Sequence, residues 1–410
     1  MKSVSKLATF CENTKENFQI LNNISTFAAE MAGIYLHIPF CKSRCSYCAF
    51  YSTTALQWRQ RYVDALCREM DLRPSADEIG TIYLGGGTPS QLTQEQLSQL
   101  FDHIYTHYKV KADAEVTIEC NPDDVTETFA TFLRSLSVNR VSMGAQTFND
   151  QRLRFIRRRH SAAQVAQAVS RLRAAGIGNI SIDLIYGFPS ETLADWQQDI
   201  TQALALKPEH LSAYCLSYEE GTPLYEQKAA LTNVTDEETE REMYYALVDR
   251  LAAAGFEHYE ISNFAKIATP AQQHPAGSMP SFRSRHNSSY WTGIPYIGLG
   301  AAAHSYDLAT RRWNVSDLKR YMEGIEQGKP DAEQEVIDET TRYNDTVMLS
   351  LRTCEGLCLD TLSTADRQFC LRAAEPFISQ QLLAHTDGHL RLTRQGIFVS
   401  DMIISELMRV

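Results

Sequence analysis

The sequence predicts an α/β protein: a partial, six-unit (β/α) barrel followed by a smaller, mixed and mostly helical C-terminal domain. Two observations carry this expectation. From residue 33 onward, short runs rich in apolar and β-branched residues alternate with amphipathic stretches, the pattern of βαβ units and a parallel sheet. Residues capable of chemistry also stand at or near the ends of successive runs: cysteines after the first, GGGTP after the second, Glu119 ending the third, Gln146 after the fourth and Asp183 in the fifth. A barrel active site draws on several strand ends. A dinucleotide-binding sheet concentrates its signal after the first strand.

The strand-like runs are GIYLHI (33–38), TIYL (81–84), EVTIE (115–119), RVSMG (140–144), NISIDLIYG (179–187) and HLSAYCL (210–216). The clearest helix between them is SAAQVAQAVSRLRAAG (161–176). There Val165, Ala168, Val169 and Leu172 share one face, and Gly176 supplies a C-terminal cap. After residue 260 the rhythm breaks. Four segments are expected: a loosely ordered extension at 1–30, the barrel at 31–265, a flexible Pro/Gly/Ser-rich insertion at 266–284, and the C-terminal domain at 285–410. The last ends in GHLRLTRQGIFVSDMIISELM, a strand, a turn at Gly396 and an amphipathic helix.

Composition narrows the class. The chain has 410 residues, 44% hydrophobic and 22% charged, with a formal net charge of −11. That balance disfavours nucleic acid as a partner, and no run is long and apolar enough for a transmembrane helix. Glu12, Lys15 and Glu16 interrupt any signal-peptide core. Ten cysteines in a chain this long do not make a disulfide scaffold, so a reduced, cytoplasmic protein with one metal site is expected.

That site is CKSRCSYCAF (41–50), where Cys41, Cys45 and Cys48 fall within eight positions. Zinc could take the three thiols with His37, although structural zinc motifs usually come as two separated pairs. A redox pair would use only Cys45 and Cys48. An iron–sulfur cluster suits the close spacing, because one loop must wrap a compact cube. With three thiolates, a 4Fe–4S cluster keeps one iron open to an outside ligand. YLGGGTPS (83–90) lacks both phosphate-loop spacings, and its glycines allow close backbone approach. Cys354 and Cys358 lie at helical spacing and read as ordinary core or surface thiols.

CxxxCxxC directly after a first barrel strand resembles the radical SAM superfamily. The further stretches IECNP (118–122), GAQTFN (144–149), RRRH (157–160), IDLIYGFP (182–189) and HLSAYCLSYEEGTPLY (210–225) resemble its coproporphyrinogen III oxidase-like branch, over roughly residues 33–410. The resemblance implies a 4Fe–4S cluster on Cys41, Cys45 and Cys48. It implies S-adenosylmethionine held by Tyr35, Tyr47, Gly86, Gly87, Thr88, Glu119, Gln146, Arg158, Asp183 and Ser217. Read alone, Glu119 and Asp183 are polar residues closing strands, and Arg158 is one charge in a basic run.

Within that branch, the oxidase carries a further cysteine where this chain has Phe50. RHNSSYW (285–291) fits the HNxxYW pattern of the haem-chaperone side. On that likeness His286 ligates haem iron while Tyr290 and Trp291 pack on the macrocycle; the bland reading is a packed aromatic loop. His304 is a second, structural-looking histidine. The expected function is a haem chaperone that binds haem, the cluster and S-adenosylmethionine and delivers haem to respiratory apoproteins. An electron donor for the cluster and a homodimer are also expected. The alternatives are an oxygen-independent coproporphyrinogen III oxidase and another radical SAM enzyme.

Overall fold

The first six strands alternate apolar residues with polar ones, and this decides what each face of the sheet meets. Ile34, Leu36 and Ile38, then Ile82 and Leu84, Val116 and Ile118, Val141 and Met143 are all buried in the main hydrophobic core. The intervening residues Tyr35, Tyr83, Thr117, Glu119, Ser142, Ser181 and Asp183 share the other face, since successive side chains of a strand point to opposite sides. The molecule is a computed structural model that describes residues 31–268 and 282–409. The extension expected at 1–30 and most of the insertion expected at 266–284 lie outside the described residues.

β1 (Met31–Ile38), β2 (Glu78–Gly86), β3 (Lys109–Cys120), β4 (Arg140–Gln146), β5 (Asn179–Tyr186) and β6 (His210–Cys215) pair side by side in chain order, all parallel. The helices α1 (Arg59–Leu72), α2 (Gln94–His107), α3 (Glu127–Ser135), α4 (Asp150–Phe155), α5 (Ala162–Ala174) and α6 (Leu193–Ala205) connect them. Local signals fix their ends. Thr93 and Gln96 form a capping box at the start of α2, each side chain bonded to the other's backbone N–H at 3.3 and 3.0 Å. In α5, Val165, Ala168, Val169 and Leu172 are all buried, and Gly176 after it has φ +85°, as the periodicity predicts.

Among the described residues the sheet continues beyond the six expected strands to twelve. After α7 (Glu237–Ala253), the hairpin β7 (Phe256–Glu260) and β8 (Asn263–Lys266) closes the β6 side. After α8 (Arg285–Trp291), β9 (Tyr296–Leu299) pairs parallel to β1. β10 (His304–Tyr306), β11 (Thr310–Asn314) and β12 (Ala332–Val336) then follow antiparallel, with α9 (Leu318–Glu326) between the last two.

Residues 285–336, expected to open a second domain, therefore extend the main sheet. The reason is strand length. β9 and β10 have four and three residues, too few to show a period, and a partner defines them. At Gly298 an added Cβ would lie 1.8 Å from the His304 carbonyl oxygen, so the two short strands meet only through glycine.

The smaller body has its own core, including Tyr343, Val347, Leu357, Phe377, Leu390 and Ile404. It consists of α10 (Glu339–Leu351), β13 (Leu357–Cys358), α11 (Thr364–Ser379), the hairpin β14 (Leu383–Thr386) and β15 (His389–Leu392), and α12 (Ser400–Leu407). It is mixed and mostly helical, as expected. Cys354 and Cys358 differ from expectation in one respect: α10 ends at Leu351, so they sit on a turn and a strand instead of one helix. No helix of the described residues is long and apolar enough to cross a membrane.

Candidate cofactor site at the strand ends

The cysteine loop joins β1 to α1 and is held at several points. Cys41 N–H donates to Thr53 O at 2.9 Å, Ser46 N–H to Ile156 O at 3.1 Å, and Leu224 N–H to Ser46 O at 2.9 Å. Cys41, Cys45 and Cys48 are free thiols of intermediate burial. Burial pushes the Cys41 thiol up and that of Cys48 up to about 11. Burial thus favours the thiol form at Cys41 and Cys48, and a bound metal cluster would convert them to thiolates.

Their neighbours form one chain of polar contacts. Cys41 Sγ lies 3.5 Å from Thr88 Oγ1. Asn121 Nδ2 donates to the same Thr88 oxygen at 3.3 Å, and Arg158 Nη2 donates to Asn121 Oδ1 at 2.6 Å. Arg158 Nη1 then reaches Cys45 Sγ at 3.6 Å, and Nη2 also donates to Gly144 O at 2.5 Å. Arg158 alone of its basic run faces the cysteines: Arg157 is exposed, and Arg159 pairs with Asp123 and Asp124. Asn121 is the residue that motif reading passes over. It stands in the quoted IECNP stretch, but only the fold shows that it ties the glycine loop to Arg158.

Three free thiols on one loop, with a guanidinium on one of them, fit an iron–sulfur cluster with three protein ligands. They fit zinc poorly. His37, the suggested fourth ligand, has both nitrogens engaged: Nε2 donates to Tyr51 O at 2.9 Å and Nδ1 accepts from Tyr35 OH at 3.1 Å. Phe50, which the resemblance singled out, is 70% exposed.

The glycines of GGGTP serve the protein's own packing. Gly86 has φ +106°, and an added Cβ would stand 2.5 Å from the His37 ring; one on Gly87 would stand 2.7 Å from the Pro39 backbone. The loop thereby lies directly against the end of β1, and Gly86 N–H donates to Glu119 Oε2 at 3.2 Å. Tyr83 OH donates to the other Glu119 oxygen at 2.7 Å. Burial raises the Glu119 carboxyl to about 7, and the Asp183 carboxylate adds to the rise. Asp183 is raised in the same direction by burial, opposed by hydrogen bonds from serines. Ser142 Oγ donates to it at 3.2 Å and Ser181 Oγ at 3.3 Å. Buried carboxylates of this kind suit a cationic ligand.

The remaining candidates divide. Tyr35 is held above its usual range by burial and lies beside His37. Tyr47 packs against a small cluster of Ile156, Ile185, Phe188, Leu216 and Leu224. Gln146 ends β4 with φ +67° and is buried. Ser217 follows β6 and is exposed.

His286 lies on the same polar face, its ring stacked on Tyr35 and Tyr83. It sits on a helix, α8, where a loop was expected, and it is 1% exposed. Its Nδ1 is 2.8 Å from Thr81 Oγ1 and its Nε2 is 2.8 Å from Tyr290 OH. Its ring stacks on Tyr83 at 5.0 Å. Burial, then the Arg140 guanidinium, push it down to about 3, so the ring is neutral. Glu115 caps the helix by accepting from the Arg285 and His286 N–H groups, both at 3.0 Å. Thr81 and Glu115 precede the cysteine-proximal ends of β2 and β3, so His286 and the cysteine loop address different ends of the strands. Tyr290 is half-buried, and Arg352 lies over the Trp291 ring at 5.5 Å. His304 is exposed on β10 and stacks on Trp313.

Comparison with known proteins agrees with this architecture. The radical SAM superfamily model matches residues 35–203, and the HemN C-terminal domain model matches 337–399. A heme chaperone HemW of Mycobacterium tuberculosis is 33% identical over 397 residues, covering 95% of this chain and 97% of the relative. The Bacillus subtilis protein of that name is 37% identical over 335 residues, covering 80% and 85%. The one from Escherichia coli is 30% identical over 390 residues, covering 90% and 96%. The solved structure of coproporphyrinogen III oxidase (HemN) from Escherichia coli, a radical SAM enzyme, superposes with a TM-score of 0.78 at 21% identity, covering 92% of this chain and 90% of that one.

Proposed function

This chain belongs to the HemW family of the radical SAM superfamily, and on that premise we propose that it is a haem chaperone, carrying haem to haem-requiring respiratory apoproteins in the cytoplasm. The observation that carries the reading is likeness to heme chaperone HemW over 95% of the chain, barrel and C-terminal body together. The likeness to the oxidase, at 21% identity, concerns the fold alone.

The same membership supports a 4Fe–4S cluster and S-adenosylmethionine as cofactors; Cys41, Cys45 and Cys48 would hold the cluster. When bound, that pair would supply one-electron cleavage of the sulfonium. The chain's own part is to hold and orient. Thr88 and Arg158, joined by Asn121, hold Cys41 and Cys45 of the thiol loop. Glu119 and Asp183 offer buried negative charge to a cationic ligand. Tyr35, Tyr47, Gln146 and Ser217 complete the proposed contacts. An electron donor would meet the exposed side of the loop, where Arg44 and Phe50 face solvent.

For haem, His286 remains the proposed iron ligand, with Tyr290 and Trp291 against the macrocycle. Its neutral ring is the ligating form. Ligation requires α8 to move, because both ring nitrogens are hydrogen-bonded and enclosed. The test is an anaerobic haem titration of the cluster-loaded chain and of His286→Ala. Weaker binding and an altered Soret band in the variant support the ligand; equal affinity and equal spectra remove it. Incubation with coproporphyrinogen III, S-adenosylmethionine and a reductant tests the chaperone reading itself, which protoporphyrinogen formation would overturn. Sedimentation of the loaded chain tests the expected homodimer.

A further inference from the structure

Asp71, His103 and His107 form a second cluster of ligand-type side chains, away from the cysteines. Their ligand atoms all lie within 4.8 Å of one another. Asp71 is in the last turn of α1, and His103 and His107 are one turn apart at the end of α2. Hydrogen bonds along the helix seam fix the alignment. Gln96 Nε2 donates to Gln60 Oε1 at 3.2 Å, and Gln99 Nε2 to Asp64 Oδ1 at 2.9 Å, so the two helices run parallel. Their C-terminal ends therefore lie side by side, and the carbonyls left without intrahelical partners there favour a cation.

The imidazoles are arranged as ligands. Their rings stack with centroids 3.9 Å apart and planes 18° apart. Both Nε2 atoms face the same Asp71 oxygen, at 2.8 Å from His103 and 3.0 Å from His107. His107 Nδ1 lies 2.9 Å from the His103 carbonyl oxygen. A carbonyl only accepts, so Nδ1 carries the hydrogen. In the neutral ring Nε2 then presents a lone pair, and it presents it to a carboxylate oxygen. Two acceptors at that distance are satisfied either by a proton on Nε2, which makes His107 an imidazolium, or by a metal ion that both ligate. The bond from Nδ1 to a carbonyl is also the support that orients metal-bound histidines.

We propose that Asp71, His103 and His107 bind a divalent first-row transition metal, zinc being the simplest occupant. Two imidazoles and a carboxylate suit such ions, and the exposed side leaves a position for water. The site staples α1 to α2 at the ends remote from the cysteine loop. The metal is thus structural and separate from the iron–sulfur centre.

The test uses the full-length, untagged, cluster-loaded chain, titrated anaerobically with Zn²⁺ by calorimetry. Wild type is expected to take up a zinc ion that the His103→Gln/His107→Gln double variant does not. Asp71→Asn is expected to bind it at least about tenfold more weakly. Iron content and circular dichroism, which should match across the set, exclude misfolding and loss of the cluster as causes. Equal zinc uptake by wild type and the double variant, or none by either, overturns the proposal.

Discussion

Arg158 Nη1 points at Cys45 Sγ across 3.6 Å, while Nη2 of the same guanidinium bonds Asn121 and Gly144. One side chain from the turn after α4 thus spans the cysteine loop, the end of β3 and the end of β4. The three segments proposed to hold one cofactor share a single planar fork.

That geometry makes Arg158→Lys a severe change. Lysine keeps the charge but replaces the fork with a point donor. The reconstituted Arg158→Lys chain is expected to bind S-adenosylmethionine at least about tenfold more weakly, the loss of roughly one charge-assisted hydrogen bond. Equilibrium dialysis measures it; unchanged affinity would remove Arg158 from the site.

Cys45→Ser should lose most of the bound iron and the brown chromophore, because a hydroxyl is a poor replacement for a cluster thiolate. Cys358→Ser, changed on a strand of the smaller body, should retain both. Iron and sulfide analysis after parallel reconstitution distinguishes them. Full iron in Cys45→Ser would show that other thiols hold the cluster.

Glu115→Ala should destabilise the docking of α8 on the barrel. Glu115 is 6% exposed and accepts the Arg285 and His286 N–H groups. Removing it leaves two helix-terminal donors without that acceptor. A loss of about 1–3 kcal/mol is expected, read from the midpoint of urea unfolding. A midpoint equal to wild type would mean that water replaces the carboxylate at no cost.

Glu119 gives a pH signature. Its carboxyl is raised to about 7 by burial, so the folded chain keeps a proton that the unfolded chain has released. The associated stability is fully present below the ordinary carboxyl range and is lost as pH rises through about 7. Buried histidines such as His286 pull stability the other way over this range, so the signature is a difference: relative to Glu119→Gln, the melting temperature of the cofactor-free wild type should fall between about pH 5 and about pH 8. Identical pH slopes would show that Glu119 is ionised in the folded state throughout.

The cysteine loop, the six parallel strands and α5 are legible in the sequence because each rests on short-range periodicity or spacing. The polar face of the sheet was equally legible and easily passed over. In EVTIE, RVSMG and NISIDL, polar residues alternate with apolar ones, and that period of two places Thr117, Glu119, Ser142, Ser181 and Asp183 on one side. Arg140 and Glu115 fall within or beside the same runs.

By itself the sequence determined the chemistry at hand: three thiols on one loop, glycines beside them, and carboxylates on strands. Local spacing suffices for these, because covalent neighbours stay neighbours whatever the chain does. Only the tertiary structure decided which of three consecutive arginines reaches Cys45 and that Asn121 links it to Thr88. It also decided that residues 285–336 extend the main sheet, and that His286 is enclosed between Thr81 and Tyr290. Each of these depends on residues far apart in sequence being brought within hydrogen-bonding distance, and no local pattern encodes that.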